Sequence, residues 1–405
     1  MKRIICLILS ILFILSPICS FAIFDENTAV PVWNENVVET FNQIKNKVEL
    51  QLDSEAAILM DEDSGTILYT KNEHEKLRPA SVTKVMTLLL IFEALERGDI
   101  KLTDRVPCSQ RARQMGGSQI WLNETEELTV DEMIKAISVV SANDCCVAMS
   151  EFIGGSEEAF VQKMNYRAKE LGMNDTNFKN CHGIDEDGHM TSAYDIAIMS
   201  RELSKNHPEI HKYSTIWMDS LRDGKSELVN TNKLVRFYSG CTGLKTGSTS
   251  LALFNLSATA TRNELSLIAV VLKGPTSQKR FDDVKKLLDY GFANFSNKVI
   301  ITKGTVATTV EIQKAKKSEI EIIAENDLTA LLNKGDEKNI RTEIILNENI
   351  SAPLEYLEPV GVQRCYLNDE LIGEINLVTK EKVESKKWGN FFTEILDFGY
   401  RLGRE

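Results

Sequence analysis

The sequence lacks an excess of positive charge. Its 405 residues include 47 lysines and arginines against 59 aspartates and glutamates, which gives a net charge of −12 at pH 7. We find no local basic patch, and a nucleic-acid-binding surface needs one because phosphates dominate the affinity. We therefore expect no nucleic-acid partner. The composition, 43% hydrophobic and 26% charged residues, is that of a globular protein with room for two domains.

The sequence also lacks, near its N-terminus, a hydrophobic run of the length that spans a membrane. The apolar residues 4–15 fall short of the roughly 20 that a transmembrane helix needs. They follow Lys2-Arg3 and precede Ser20-Phe21-Ala22, which offers small residues at the two positions that a signal peptidase reads. This pattern predicts a signal peptide, residues 1–22, on an exported protein.

Cysteine pairs with the spacing of a metal site are missing. None of the eight cysteines stands in a C-x-x-C arrangement, which zinc sites commonly use. Export permits disulfides, but a core of this size does not need them, so we interpret the cysteines after the signal peptide as small buried residues. The segment with Cys181, His182 and His189 matches no zinc pattern either, and we expect a loop beside a cleft.

The sequence does contain a serine and a lysine that would share one face of a helix. Ser81 and Lys84 stand three residues apart, and the apolar residues 85–95 predict a buried helix that begins close to Ser81. A serine becomes a good nucleophile when a neighbouring base takes its proton, and a lysine can be that base if burial or another cation destabilises its ammonium. A helix-capping serine beside a solvated lysine would give the same pattern.

Hydrophobic periodicity predicts an α+β architecture around this helix. Residues 56–60 and 66–69 are typical of a hairpin, and mostly helical segments follow from about 102 to 203. Three strands between residues 243 and 272 and a helix over 281–295 complete an α+β sandwich. Short alternating segments between about 298 and 379 predict a small all-β domain in which we see no set of residues for chemistry.

The C-terminal segment has an apolar face. Trp388, Phe391, Phe392 and Ile395 would lie on one side of a helix that is too short to span a bilayer but suited to its surface. Packing of this helix against the β domain or a partner is the alternative.

These observations divide the chain into five parts. The predicted division is a signal peptide (1–22), a linker with a short helix (23–50), a catalytic domain (51–297), a small β-rich domain (298–380) and an amphipathic membrane-surface helix (381–405).

Two more triplets follow Ser81 and Lys84 along the chain. Ser141-Ala142-Asn143 falls between two helical segments, where a loop could present a hydroxyl and an amide to a cleft. Lys245-Thr246-Gly247 falls on a predicted strand, and Gly247 would let a substrate backbone approach closely. Either triplet alone is equally compatible with a surface turn or a solvated lysine. In this order, S-x-x-K, S-x-N and K-T-G form the catalytic set of β-lactamases and penicillin-binding proteins.

The sequence resembles the low-molecular-mass penicillin-binding proteins, the serine-type D-alanyl-D-alanine carboxypeptidases, over roughly residues 55–295. The shared context includes Pro79-Ala80-Ser81, Met115-Gly116-Gly117-Ser118, Ser141-Ala142-Asn143-Asp144, His182-Gly183 and Asn230-Thr231-Asn232. The resemblance implies a penicillin-binding/β-lactamase-like transpeptidase fold, an antiparallel sheet with a helical subdomain. A small all-β domain and a C-terminal amphipathic helix would follow it.

The resemblance implies catalytic roles for three side chains. Ser81 would attack the carbonyl of the penultimate D-alanine and form an acyl-enzyme, with Lys84 as the base that activates it. Ser141 would relay a proton toward the leaving D-alanine, and water would then release the trimmed peptide. No metal or cofactor is needed. β-Lactams would acylate Ser81 because they resemble the D-Ala-D-Ala end.

The same resemblance implies how the substrate is bound. Asn143 would hold the substrate amide, while Lys245 and Thr246 would bind the terminal carboxylate. The charge of Lys245 would also help to keep Lys84 neutral.

The backbone N–H groups of Ser81 and Ser248 would form the oxyanion hole. Some members of the family carry histidine where this chain has Ser248. Because the backbone is what that position contributes, we expect an altered rate or specificity rather than a loss of activity.

Three other functions share parts of this pattern. A class A β-lactamase shares the three motifs, but we find no Glu-x-x-Leu-Asn segment between Asn143 and Lys245 for its deacylating water, and the extra β domain argues against it. A D,D-endopeptidase that cuts peptidoglycan crosslinks stays open, because cleft shape decides that specificity. An inactive cell-wall- or membrane-binding module is the third, and the intact Ser81, Lys84, Ser141 and Lys245 weigh against it.

The expected partners follow from this interpretation. They are a peptidoglycan stem peptide ending in D-Ala-D-Ala, β-lactams as covalent inhibitors, and the membrane through the C-terminal helix. We expect the protein outside the cytoplasm, attached to the outer face of the cytoplasmic membrane.

Overall fold

The structure, a computed structural model, describes residues 49–317 and 319–386, all of which belong to one compact unit of the chain. The predicted signal peptide, nearly all of the predicted linker and the apolar face of the tail lie outside the described residues. No helix in the described part of the chain is long and apolar enough to cross a membrane.

Sixteen strands can be assigned in this part of the chain. In order they are β1 (Ala56–Asp61), β2 (Ile67–Lys71), β3 (Arg105–Pro107), β4 (Glu127–Thr129), β5 (Met218–Leu221), β6 (Ser226–Val229), β7 (Cys241–Thr249), β8 (Leu253–Arg262), β9 (Leu265–Gly274), β10 (Phe295–Ile301), β11 (Val306–Glu311), β12 (Glu319–Ala324), β13 (Leu328–Asn333), β14 (Ile340–Leu346), β15 (Pro359–Leu367) and β16 (Glu370–Thr379).

Nine α-helices accompany them in the described residues. They are α1 (Lys84–Glu96), α2 (Gln110–Arg113), α3 (Val130–Val139), α4 (Asn143–Gly154), α5 (Glu157–Glu170), α6 (Ala193–Asn206), α7 (His211–Ser214), α8 (Leu234–Phe237) and α9 (Ser277–Asn294), with short 3-10 turns at Ala80–Thr83, Pro208–Ile210 and Asp336–Asn339.

A five-stranded antiparallel sheet in the order β2-β1-β9-β8-β7 separates two cores. Successive strand residues point to opposite faces, so Ile58 and Val270 belong to the core under the helical insertion, while Leu59 and Val271 belong to the core under α9. This arrangement confirms the predicted antiparallel sheet with a helical subdomain. β7, which carries Lys245-Thr246-Gly247, is the last strand of the sheet.

Helix α1 lies in the middle of the larger core. Ten of its thirteen residues are buried, from Lys84 to Ala94, which explains why the segment is apolar on nearly every side. The helix ends before Gly98, whose φ of 75° provides the left-handed C-terminal turn. The predicted helix therefore exists, but it begins at Lys84, and Ser81 lies on the 3-10 turn Ala80–Thr83 that runs into it.

Residues after α9 form the predicted all-β domain. Its main sheet has the order β11-β12-β16-β15-β14, and β10 pairs with β13 beside it. The cysteines of the described chain are unpaired, and five of the six are buried, as their interpretation as small core residues predicts. Sequence patterns missed the two-stranded sheets β3–β4 and β5–β6, because strands of three or four residues carry too little periodicity.

We expect the capping box of α3 to stabilise the helix that leads to Ser141. The Thr129 side chain accepts from the Glu132 backbone N–H at 3.2 Å, and the Glu132 carboxylate accepts from the Thr129 N–H at 2.8 Å. Thr129→Ala should lower the free energy of unfolding by about 1 kcal/mol in urea denaturation. Thr103→Ala, at an exposed threonine, should leave it within error. Equal stability of the two variants would contradict the role of the cap.

Candidate active site

Lys84 is fully buried and its amine lies beside the hydroxyl of Ser81. The Lys84 Nζ to Ser81 Oγ distance is 2.9 Å, and the lysine has no exposed surface. Burial lowers the pKa of Lys84 from its usual range, because a charged ammonium loses its hydration there. The alternative interpretation, a helix-capping serine beside a solvated lysine, is thus excluded. Pro79, not Ser81, caps the 3-10 turn.

Two other atoms compete for the hydrogens of this amine. Lys84 Nζ donates to Asn143 Oδ1 and to the carbonyl of His182, each at 2.6 Å. Asn143 Nδ2 donates to the carbonyl of Gly116 at 2.7 Å, which fixes the orientation of the amide. A neutral amine has two hydrogens and one lone pair. If the two oxygens take both hydrogens, the lone pair faces the Ser81 hydroxyl.

The carbonyl of His182 comes from a loop that sequence reasoning placed beside the cleft without giving it a role. Asn180 Oδ1 accepts from the Gly183 N–H at 2.7 Å and holds the loop in shape. Gly183 has a φ of 90°, and a Cβ there would lie only 1.9 Å from the carbonyl oxygen of Ala80. The glycine was visible in the sequence, but the close contact with the Ser81 turn was not.

Ser141 and Asn143 lie at the start of α4, as the motif predicts. Ser141 has a φ of 67°, a left-handed conformation that is rare for serine. Its Oγ is buried and has no hydrogen-bond partner among the described residues. A buried hydroxyl without a partner is uncommon in folded proteins. It is therefore a candidate to bind a substrate group.

The neighbouring Asp144 was not predicted as a site residue, although it belongs to the motif context. Its buried carboxylate accepts the backbone N–H groups of Ile120 and Leu122 at 3.1 Å. The Asn143 N–H also donates to the carbonyl of Ser118 at 2.7 Å. These bonds tie the loop after Gly116 to the first turn of α4 and hold Asn143 in place.

The K-T-G motif lies on β7 next to the same turn. Lys245 is buried, and its pKa is well below the usual value, first because of burial and then because of the charge of Lys84. Its Nζ donates to the carbonyl of Thr246 at 3.0 Å. Thr246 Oγ1 lies 2.7 Å from Thr231 Oγ1. The Thr231 hydroxyl, which comes from the Asn230-Thr231-Asn232 segment, therefore adjoins the strand.

Gly247 brings the backbone of β7 against the Ser81 turn. A Cβ on Gly247 would lie 2.9 Å from both the backbone nitrogen of Ser81 and the carbonyl oxygen of Pro79. Ser248, the next residue, is exposed. The structure therefore brings the three motifs together around Ser81: a hydroxyl with a buried amine, adjacent backbone N–H groups, and a second buried lysine. Such a set can attack a carbonyl in a substrate that also carries an anionic group.

We expect Gly183→Ala to disable the site. The added methyl group would collide with the Ala80 carbonyl and push either the Ser81 turn or the His182 carbonyl from Lys84. The rate at which a fluorescent penicillin labels Ser81 should fall at least about a hundredfold. Gly172→Ala is the matched control, because Gly172 has a φ of 74° but no neighbouring atom within 4 Å. It should cost about 1–2 kcal/mol in stability and retain labelling. Normal labelling of Gly183→Ala would contradict this account.

Comparison with known proteins adds the family. A family model described as D-alanyl-D-alanine carboxypeptidase matches residues 42–276, and one described as penicillin-binding protein 5, C-terminal domain, matches residues 295–385. The chain is 42% identical to the D-alanyl-D-alanine carboxypeptidase DacF of Bacillus subtilis over 344 residues, which are 84% of this chain and 88% of the relative.

Solved structures agree with this assignment. The chain is similar to penicillin-binding protein 5 from Haemophilus influenzae, with a TM-score of 0.70 and 31% identity over 83% of this chain and 99% of that one. Penicillin-binding protein D2 from Listeria monocytogenes in the ampicillin-bound form gives a TM-score of 0.56 and 29% identity over 60% of this chain and 99% of that one. The chain is therefore a member of the D-alanyl-D-alanine carboxypeptidase family, the hydrolases that make up the low-molecular-mass penicillin-binding proteins.

Proposed function

We propose that this chain removes the terminal D-alanine from peptidoglycan stem peptides through an acyl-enzyme on Ser81. The observation that carries the proposal is the buried Lys84 amine, 2.9 Å from the Ser81 hydroxyl and with neutral hydrogen-bonding partners. No carboxylate is among those partners, and the nearby groups that favour the charged form, Cys146, Cys181 and Asp144, do not outweigh the desolvation of an ammonium ion. Lys84 is then a base at a pH where an exposed lysine is not.

In the first half-reaction, Ser81 Oγ attacks the carbonyl carbon of the penultimate D-alanine and its proton passes to Lys84. The negative charge on the carbonyl oxygen is stabilised by the N–H groups of Ser81 and Ser248. When the C–N bond breaks, the leaving amine takes a proton through the Ser141 hydroxyl, which has no protein partner of its own. The products are free D-alanine and an ester on Ser81.

In the second half-reaction, a water molecule attacks the ester carbonyl. Lys84 accepts a proton from this water and gives one to Ser81 Oγ as the C–O ester bond breaks, so Ser81 is restored as the hydroxyl and the trimmed peptide acid departs. The same oxyanion site serves both steps.

Substrate selection depends on the remaining motif residues. Lys245 and Thr246 bind the terminal carboxylate, Asn143 holds the substrate amide, and Gly247 lets the substrate backbone lie against β7. The buried amines of Lys84 and Lys245 repel one another when both are charged, so they do not both hold a proton easily. A carboxylate beside Lys245 favours the proton there and leaves Lys84 neutral, so the correct substrate assists the activation of its own nucleophile.

β-Lactams inhibit the enzyme in this proposal. The Listeria protein D2 was solved in ampicillin-bound form, and the present chain is similar to it and offers the Ser81 hydroxyl beside the Lys84 amine. Ser81 Oγ opens the β-lactam ring and remains acylated.

The predicted division of the chain belongs to this proposal. Residues 1–22 direct export, 23–50 link, 51–297 catalyse and 298–380 form the β domain. The predicted tail, 381–405, begins too early, because Val383 is buried in the core of the β domain and bridges to Leu354. The amphipathic helix on the outer face of the cytoplasmic membrane is therefore proposed only for the part of the tail after residue 386. Such an arrangement would hold the active site near the cell wall.

D-alanine release from a diacyl-L-Lys-D-Ala-D-Ala peptide tests the reaction. Wild type should release D-alanine, and Ser81→Ala should release at least about a thousandfold less, because the nucleophile is gone. Ser220→Ala, on the β5 hairpin, is the control and should behave as wild type. Labelling by a fluorescent penicillin without release would favour a D,D-endopeptidase. If neither release nor labelling occurs, the inactive binding module is the interpretation that remains.

The pH dependence tests the base. D-alanine release should rise with pH as Lys84 loses its proton, and because burial lowers the pKa of Lys84, the rise should come below the usual lysine value of 10.5. In the substrate complex, where the carboxylate favours the proton on Lys245, loss of the Lys245 proton should bring a fall at higher pH. Lys84→Arg keeps the charge but cannot accept a proton, so release should drop by about 10²–10⁴. A rising limb that persists in Lys84→Arg would rule out Lys84 as its source.

A further inference from the structure

Arg280 is a buried cation in the first turn of α9 that the mechanism above does not use. Only 7% of its surface is exposed, and its Nε has no hydrogen-bond partner in the described part of the chain. No carboxylate is among the partners of its guanidinium. Its ring contacts are Phe281 at 4.8 Å and Phe254 at 5.5 Å from the guanidinium carbon to the ring centroids.

The guanidinium is aimed at the backbone of two strands. Arg280 Nη1 donates to the carbonyl of Gly247 on β7 at 3.1 Å and to the carbonyl of Asn255 on β8 at 3.3 Å. Gly247 and Asn255 are directly opposite one another in the sheet. Arg280 Nη2 donates to Ser277 Oγ at 3.3 Å. The Arg280 guanidinium thus contacts the K-T-G motif through the backbone carbonyl of its glycine.

This placement is unfavourable for stability. A buried charge without a counter-ion loses its hydration, and a cation in the first turn opposes the helix dipole. Burial lowers the pKa of Arg280 to about 10, so the guanidinium still keeps its proton at neutral pH. A charge retained at such a cost suggests a functional reason.

The carbonyl that Arg280 contacts belongs to the same peptide unit as the Ser248 N–H. The cis peptides of the described residues lie elsewhere, at Gly243-Leu244 and Ala352-Pro353, so the Gly247–Ser248 unit is trans and its C=O and N–H point in opposite directions. With the carbonyl directed at Arg280, the N–H points to the other side of β7. β7 is an edge strand, and Gly247 lies against the backbone nitrogen of Ser81.

We propose that Arg280 is a positioning residue that strengthens the oxyanion hole by polarising the Gly247–Ser248 peptide. A charged donor on the carbonyl draws electron density from the amide and makes its N–H a stronger donor, as in a cooperative chain of hydrogen bonds. The effect is largest when the oxyanion forms, so it lowers the barriers to acylation and deacylation alike. This inference rests on the proposed function, because it assumes that Ser248 N–H faces the substrate carbonyl.

The rival explanation is that the charge of Arg280 attracts the substrate carboxylate. The two differ in what happens when the carboxylate is absent. Polarisation of the peptide affects every acylating agent, whereas attraction affects only the anionic ones. Benzylpenicillin and its methyl ester provide that comparison, since the ester removes the negative charge and keeps the β-lactam ring.

The experiment measures the second-order rate constant for acylation of Ser81 in the full chain by both compounds, in competition with a fluorescent penicillin. Arg280→Gln should react about tenfold more slowly than wild type with the acid and the ester alike, less than the loss of a whole oxyanion donor. Deacylation should slow by a similar factor. Arg280→Lys, which keeps a charged donor, should recover part of the rate. Equal rates for Arg280→Gln and wild type, a defect confined to the acid, or a Lys variant slower than the Gln variant would each overturn the proposal.

Arg262→Gln is the matched control. Arg262 also donates to a backbone carbonyl, that of Ser239 at 2.9 Å, and also lies over two rings, those of Tyr238 and Phe292. It has no contact with Gly247, so its removal should leave both rates unchanged. If Arg280→Gln does not fold, Arg280→Lys is compared with wild type instead. Its acylation rates with the acid and with the ester should then decrease by the same factor. Wild type that neither releases D-alanine nor is acylated would instead refute the proposed function.

Discussion

The Lys84 amine is buried among neutral oxygen atoms, and the rest of the catalytic arrangement depends on that constraint. An ammonium ion there would have no hydration and no carboxylate partner, so its pKa falls. The two oxygens that take its hydrogens come from distant segments, Asn143 at the start of α4 and His182 in the loop before α6. The packing of three segments around the Lys84 side chain therefore both orients its amine and makes the amine lose its charge.

That packing needs backbone contacts that only glycine allows. Gly183 lies against the carbonyl of Ala80, and Gly247 lies against the nitrogen of Ser81, so the Ser81 turn is enclosed from two sides without any side chain between. The large core around α1 makes this enclosure rigid, since nearly all of that helix is buried. The site is thus built on a helix and an edge strand, with the loops of Gly116 and His182 tied down by the hydrogen bonds of Asn143, Asp144 and Asn180.

Basic side chains are concentrated where the substrate would bring a negative charge. Lys84, Lys245 and Arg280 are all buried near the same end of β7, and the pKa values of all three are lowered, each mainly by burial. Such a cluster is unfavourable in the free protein. It becomes favourable when an anionic substrate or a developing oxyanion arrives, which is the pattern expected of a catalyst that sacrifices stability for binding of the transition state.

Local patterns in the sequence determined most of the elements and pointed to the proposed nucleophile, Ser81. The apolar run after Lys84 determined helix α1, and short apolar segments bounded by turns determined the strands of the main sheet. The spacing of Ser81 and Lys84 put a hydroxyl and an amine on one side of a turn. Only the tertiary structure decided that Lys84 is bound by the His182 carbonyl, that Thr231 adjoins Thr246, and that Arg280 lies behind Gly247. These contacts join residues 98, 15 and 33 positions apart. Two of the three end on backbone carbonyls, which every residue possesses, so no side-chain pattern announces them.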